Sequence, residues 1–174
     1  TAKDIPALYA ENYDDTSTLP SATGTNSVAI GREAESTGTN AIAIGRNATS
    51  NSGVALGYNT QASSFYGVAI GANLAGSGAL SSGVAAIALG ASRANGSSSL
   101  SAMTENNTAS YGALGSYSMA LGFYSKTTTS KSFTLGSSCI SGGEGGLATG
   151  FQTEVSAHYG RSGGCRSLAN VAGD

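Results

Sequence analysis

The sequence predicts an all-β solenoid, a parallel β-roll of about ten coils with a fourteen-residue repeat. Three observations carry this. First, an apolar-Ala-apolar-Gly motif recurs as Val28-Ala29-Ile30-Gly31, Ile42-Ala43-Ile44-Gly45, Val54-Ala55-Leu56-Gly57, Val68-Ala69-Ile70-Gly71 and Ile87-Ala88-Leu89-Gly90. Second, its closing glycines keep a period: the intervals Gly31 to Gly45, Gly57 to Gly71, Gly122 to Gly136 and Gly136 to Gly150 are all equal, at fourteen positions. Third, the motif alternates with the period of a strand. It sits among segments too rich in Gly and Ser for helix, where an interior Gly costs roughly 1 kcal/mol against Ala. A repeat at fixed spacing marks a chain built by stacking one unit.

Taken in order, residues 1–23 stand apart. They hold both prolines, Pro6 and Pro20, and the acids Asp4, Glu11, Asp14 and Asp15. Their apolar residues predict a docking arm that attaches through Ile5, Leu8, Tyr9 and Tyr13, on partner subunits or on another protein; the alternative is a flexible tail. Residues 24–164 form the roll. The interval from Gly45 to Gly57 is two positions shorter than the period, a shortened coil. That from Gly71 to Gly90 is five positions longer, which predicts a loop over 72–83 around Gly76-Ser77-Gly78. Between Gly90 and Gly122 a worn coil is expected to close at Thr104, behind Ala102-Met103, with an insertion over 104–112. The motif returns at Met119-Ala120-Leu121-Gly122, Phe133-Thr134-Leu135-Gly136 and Leu147-Ala148-Thr149-Gly150, and a last worn coil closes at Gly164. Residues 165–174, with Ser167-Leu168-Ala169-Asn170-Val171, are expected to cap the open strand edges.

A second glycine register, Gly24, Gly38, Gly83, Gly115 and Gly143, lies seven residues before closing glycines and gives each half-turn a corner. Glycines suit such corners because they accept positive φ and close backbone approach. The positions three after the closing glycine (Ala34, Ala48, Thr60, Ser125, Cys139 and Thr153) are mostly small. So narrow a tube admits Ala inside and leaves the larger residues outside, although the reverse assignment satisfies the sequence equally. A continuous outer apolar stripe predicts a partner, and a homotrimer is the simplest closed arrangement that buries three stripes along one axis. The expected trimer interface comprises Val28, Ile30, Ile42, Ile44, Val54, Leu56, Val68, Ile70, Ile87, Leu89, Met119, Leu121, Phe133 and Leu135.

Charged residues make up only 10% of the chain, the net charge is −2 and the eight basic residues are scattered. Nucleic-acid binding, which needs clustered Lys and Arg, is not expected. No apolar run approaches the ~18 residues of a membrane span, so no membrane insertion is expected. No catalytic residue, metal site or cofactor is expected either. His158 is the single histidine, and it aligns with Phe65 at an outward position. Glu33 and Glu35 flank Ala34 on a strand and face away from it. The run Gly142-Gly143-Glu144-Gly145-Gly146 lacks the Gly-Lys-Ser/Thr of a phosphate loop. Cys139 and Cys165 lie nearly two coils apart, about 9–10 Å, beyond the ~7 Å reach of a disulfide. Both are expected free, as in a reducing compartment. Tyr58, Phe123 and Phe151 each follow a closing glycine, where Arg32 and Arg46 stand earlier, and Tyr66, Tyr117, Tyr124 and Tyr159 add to them. This Tyr/Arg row is expected to be a protein- or glycan-contact surface, or else intersubunit packing.

In tandem at this period, Asn-Ser-Val-Ala-Ile-Gly (26–31) and its copies resemble the head repeats of YadA-like trimeric autotransporter adhesins. The resemblance spans roughly 24–164, strongest over 24–90. It implies a left-handed parallel β-roll, trimeric and without catalytic activity; the same roll recurs in phage virion fibres and decoration proteins. With Thr1 read as a natural start after a removed Met, and no leader, heptad stalk or membrane anchor in the chain, the expected function is structural. That role is a non-enzymatic homotrimeric phage protein on the virion surface, a capsid decoration, cement or fibre protein held by its arm to a capsid or tail protein. The alternative is an adhesin head on the bacterial cell surface that binds host matrix or glycans.

Overall fold

A computed structural model describes residues 19–71, 78–103 and 110–170. The chain winds into a parallel β-solenoid of two sheets, one of ten strands and one of eleven, and every strand pairs with its equivalent one coil away. Ten strands in the first sheet mean ten coils. That sheet is built from the repeat motif: Val28–Ile30, Ile42–Ile44, Val54–Leu56, Val68–Ile70, Ile87–Leu89, Leu100–Ala102, Met119–Leu121, Phe133–Ser137, Leu147–Phe151 and Arg161–Cys165. The second sheet uses shorter strands, such as Glu35–Ser36, Thr49–Ser50 and Gln61–Ala62. Register is kept residue for residue, with Val28 on Ile42, Ala29 on Ala43 and Ile30 on Ile44.

The corners obey the same requirement as the strands, that backbone groups inside a stack be paired. In one corner Asn40 N donates to Thr25 O at 2.8 Å, and in the other Asn47 N donates to Arg32 O at 2.9 Å. Asn40 and Asn47 sit at φ 58° and 56°, in the left-handed region, and the closing Gly45 lies at φ 129°. Asn is among the few non-glycine residues that reach this region at low cost, which explains why the repeat carries it there. The second glycine register needs Gly for another reason. Gly38 is not at positive φ, but a Cβ there would land on the Asn51 carbonyl one coil away.

The interior holds rows of small side chains. Ala43, Ala55, Ala69, Ala88, Ala120 and Ala148 are fully buried in the first sheet, and Ser36, Ser50, Ala62, Ser81, Ala94 and Ala113 fill the facing row. The Ala rows therefore point inward and the Val/Ile rows outward, which resolves the alternative the sequence left open. Ala34, Ala48, Thr60, Ser125, Cys139 and Thr153 are buried as well. Hydroxyls in these rows pair with corner carbonyls: Ser99 Oγ donates to Gly96 O at 2.6 Å, Ser118 Oγ to Gly115 O at 2.6 Å and Thr60 Oγ1 to Gly57 O at 3.1 Å. A core this thin admits Ser and Thr where a corner carbonyl lies within reach, as it does for these hydroxyls.

Four expectations change. The worn coil closes at Met103, not Thr104, since Leu100-Ser101-Ala102 pairs with Ile87-Ala88-Leu89. Gly96 sets this register: seven residues before Met103, it occupies the close-approach position, where a Cβ would strike the Gly115 carbonyl. The predicted loop 72–83 is too long. Ala79 is buried and Leu80–Ser81 pairs with Gln61–Ala62, so 78–83 belong to the roll, while 72–77 lie outside the described residues. The predicted insertion 104–112 likewise includes Gly112, which opens the strand Gly112–Ala113; 104–109 are not described. Finally, Glu33 is not on a strand but at a left-handed corner, φ 58°, and only Glu35 projects outward from a strand.

Candidate functional site

The outer surface of the first sheet is the most distinctive feature of the molecule. Two apolar ridges run along it, one through Val28, Ile42, Val54, Val68, Ile87, Leu100, Met119, Phe133 and Leu147, the other through Ile30, Ile44, Leu56, Ile70, Leu89, Ala102, Leu121 and Leu135. Each ridge residue is flanked by its equivalents above and below. Even so, Val28, Ile44, Ile70, Ile87, Leu89 and Leu135 remain 37–48% exposed in the single chain. All fourteen residues expected at a subunit interface fall on these ridges. The first ridge ends at the last coil, where Arg161 replaces Leu147, and the second ends one coil earlier, where Thr149 follows Leu135. The opposite sheet presents Glu35, Thr49, Gln61, Arg93, Lys126 and Glu154 at its outward positions, with Leu80, Ile140 and Leu168 interspersed.

The aromatic residues do not form the single row expected. They divide between the two corner edges. On the edge that follows the closing glycines, Arg46 lies over the Tyr58 ring at 4.3 Å, which leaves Tyr58 half-buried. Farther along, Phe123 packs on Tyr124 with centroids 3.9 Å apart, and Tyr124 on Tyr111 at 5.0 Å. Phe123 and Phe151 are exposed on this edge. Tyr66, Tyr117 and Tyr159 lie on the other edge, each at the left-handed position that holds Asn26 and Asn40 in the first coils. Nearness to a glycine does not by itself separate the two half-turns, because each has a glycine of its own. The second edge also carries the Asn26–Asn40 side-chain bond, 3.4 Å, and the Lys131–Glu144 ion pair, 3.2 Å.

Other expected positions are simply placed. His158 is exposed on the second edge, next to Tyr159. Cys139 is buried and Cys165 exposed, and neither is bridged. The Cys139 Sγ is 3.2 Å from the Gly150 carbonyl and accepts from Thr153 Oγ1 at 3.2 Å. Among the described residues no three His, Cys, Asp or Glu side chains gather to hold a metal. No helix there is long and apolar enough to cross a membrane. The arm residues Ile5, Leu8, Tyr9 and Tyr13 lie outside the described residues.

Sequence reasoning missed a notch on the second edge, lined by Asn40, Ser52, Val54, Phe65, Tyr66 and Val68 among others. Its signal was available: a coil two residues short, followed at once by Phe65-Tyr66.

The geometry defines a rod-like parallel solenoid with one apolar face and two decorated edges. The chain carries YadA head domain repeats: the family model for that repeat matches residues 22–48 and again 48–73. No curated protein matches the chain. The matched span covers the first four coils, the shortened one included, and the same columns continue to Gly164. The family match favours the adhesin-head alternative and does not point to a virion.

Proposed function

We propose that this chain forms the head of a homotrimeric, surface-exposed bacterial adhesin. Three left-handed rolls pack their apolar ridges around one axis, and the outer edges make contact with host matrix or glycans. The role is one of binding and display, without catalysis. The observation that carries it is the pair of apolar ridges on one face of the solenoid, one continuous from the first coil to the ninth and the other from the first to the eighth. A patch of that length on a soluble rod marks an interaction surface, and cyclic closure limits it to a finite assembly. The YadA head repeat supports both the trimer and the adhesive role.

Light scattering on the purified protein is expected to give about three times the 17.0 kDa chain mass. Ile44→Asp places a carboxylate in the middle of a ridge, where burial without a partner costs several kcal/mol. The variant should dissociate or unfold. A stable, monodisperse wild-type monomer would remove the basis for the assembly.

A further inference from the structure

The notch on the second edge arises from a deletion. From Ser36 to Ile42 the chain turns the corner in six residues; from Ser50 to Val54 it does so in four. Ser50 holds the shorter turn, donating from Oγ to Gly53 O at 2.7 Å and accepting from Gly53 N at 3.2 Å. The missing residues include the one that would fill the left-handed position. A gap of about 440 Å³ therefore opens between Asn40 on one side and Phe65-Tyr66 on the other, floored by Ser52, Val54 and Val68.

Phe65 and Tyr66 are not explained by the fold. They stand 63% and 77% exposed, with ring centroids 6.4 Å apart and planes at 49°. Tyr66 adopts φ 59°, in the slot that Asn26 and Asn40 occupy at 56° and 58°. Tyr117 and Tyr159 take the same slot at 55° in later coils, so the φ alone does not mark Tyr66; what is particular to it is the gap that the short coil leaves beside its ring. The Asn ladder also stops here. The Asn40 amide meets Asn26 on one side, and its next-coil neighbour is absent.

We propose that this notch binds a neutral saccharide unit. Its volume falls in the range of small-ligand sites, and its mixture of apolar wall and few polar groups is what such sites use. The Phe65 and Tyr66 rings offer faces for the C–H side of a pyranose. The Asn40 amide and the Ser52 hydroxyl stand where its hydroxyl rim would lie. Among the described residues no charged side chain lines the notch, which argues against an acidic sugar or a charged peptide. The notch also lies within a continuous sheet rather than at a sheet end, so it offers no unpaired strand for an extended peptide to join. This inference deepens the adhesive role proposed above. It rests on that role only in placing the notch at the rim of the assembled face, because Val54 and Val68 are ridge residues.

The test uses the full chain. An array of neutral and sialylated oligosaccharides identifies a ligand, and calorimetric titration of the best neutral glycan measures it. Phe65→Thr with Tyr66→Asn restores the Thr-Asn of the earlier coils, so the fold is kept, and binding should weaken by at least about tenfold, or about 1.4 kcal/mol. A second variant inserts Gly after Asn51 and Asn after Ser52, which completes the short coil in the pattern of Thr37-Gly38-Thr39-Asn40-Ala41. It should abolish binding with the rings still present. Light scattering on each protein separates the two proposals: a monomeric wild type defeats the trimer alone. Absence of any neutral ligand, or equal binding by both variants, overturns the saccharide site. A change of oligomeric state in the variants also overturns it, since the notch would then seat a neighbouring subunit.

Discussion

A glycine in this roll serves one of two separate needs, and substitution distinguishes them. Gly38 has ordinary φ, but a Cβ there collides with the backbone of Asn51 in the next coil, which cannot move without breaking the ladder. Gly142 lies in a comparable turn, yet the nearest atom to a Cβ there is Val155 O at 3.6 Å, ordinary contact distance. Gly38→Ala is therefore expected to destabilise by about 3 kcal/mol or more, as other severe steric changes do. Gly142→Ala should be neutral or stabilise by up to about 1 kcal/mol, through the lower entropy of the unfolded chain. Chemical denaturation of both variants decides this. Equal effects would mean that the coils have room to shift apart. The polar interior shows the same economy of space. Where Ser, rather than Ala, fills an inner row, most hydroxyls reach a corner carbonyl, but Ser36, Ser101, Thr134 and Ser141 keep buried hydroxyls without a partner in the protein.

At the scale of the coil, the sequence displays its structure unusually directly, because each strand is also a repeat. The fold class and the alternating Ala and Val/Ile rows were legible from the spacing of closing glycines and the strand period, but which row turns inward was not, because alternation alone does not say which face is the inside. Legibility failed where that marker was missing. Met103 stands in place of a closing glycine, and counting from Gly90 misplaces the coil by one residue, although Gly96 marks the opposite corner. The two insertions blurred their own edges, since a small residue such as Ala79 or Gly112 suits both a loop and a buried row. Site residues were less legible still. Which of two edges an aromatic belongs to depends on half a coil, a distance that the full repeat period does not resolve. The cysteines belong to this scale because their difference comes from coil position alone. Cys139 fills an inner row and Cys165 an outer corner. In the folded protein a maleimide should label one thiol per chain, at Cys165, and the second only after denaturation, as read by mass spectrometry. Rapid labelling of both would show that the last coils open easily.

At the scale of the whole molecule, a solenoid has no centre, and its stability is close to a sum over neighbouring coils. The ends then matter as much as the middle. The apolar ridge runs through Phe133 and Leu147 and stops at Arg161, in the last coil of the first sheet. If three rolls share an axis, their Arg161 side chains converge at one end of the bundle, beside Gly163, which adds no side chain to screen them. Like charges within a Debye length, about 8 Å at physiological ionic strength, repel, and added salt relieves them. The wild-type trimer is thus expected to melt at higher temperature as salt is raised. Arg161→Leu should extend the ridge by one coil, raise the melting temperature at low salt and flatten the salt dependence. The gain follows from burying one Leu per chain, on the order of 1.5–3 kcal/mol each if fully covered. Melting curves of the two proteins at low and high sodium chloride provide the measurement. If Arg161→Leu leaves both the melting temperature and its salt dependence unchanged, the last coil splays away from the axis and the interface ends at Leu147.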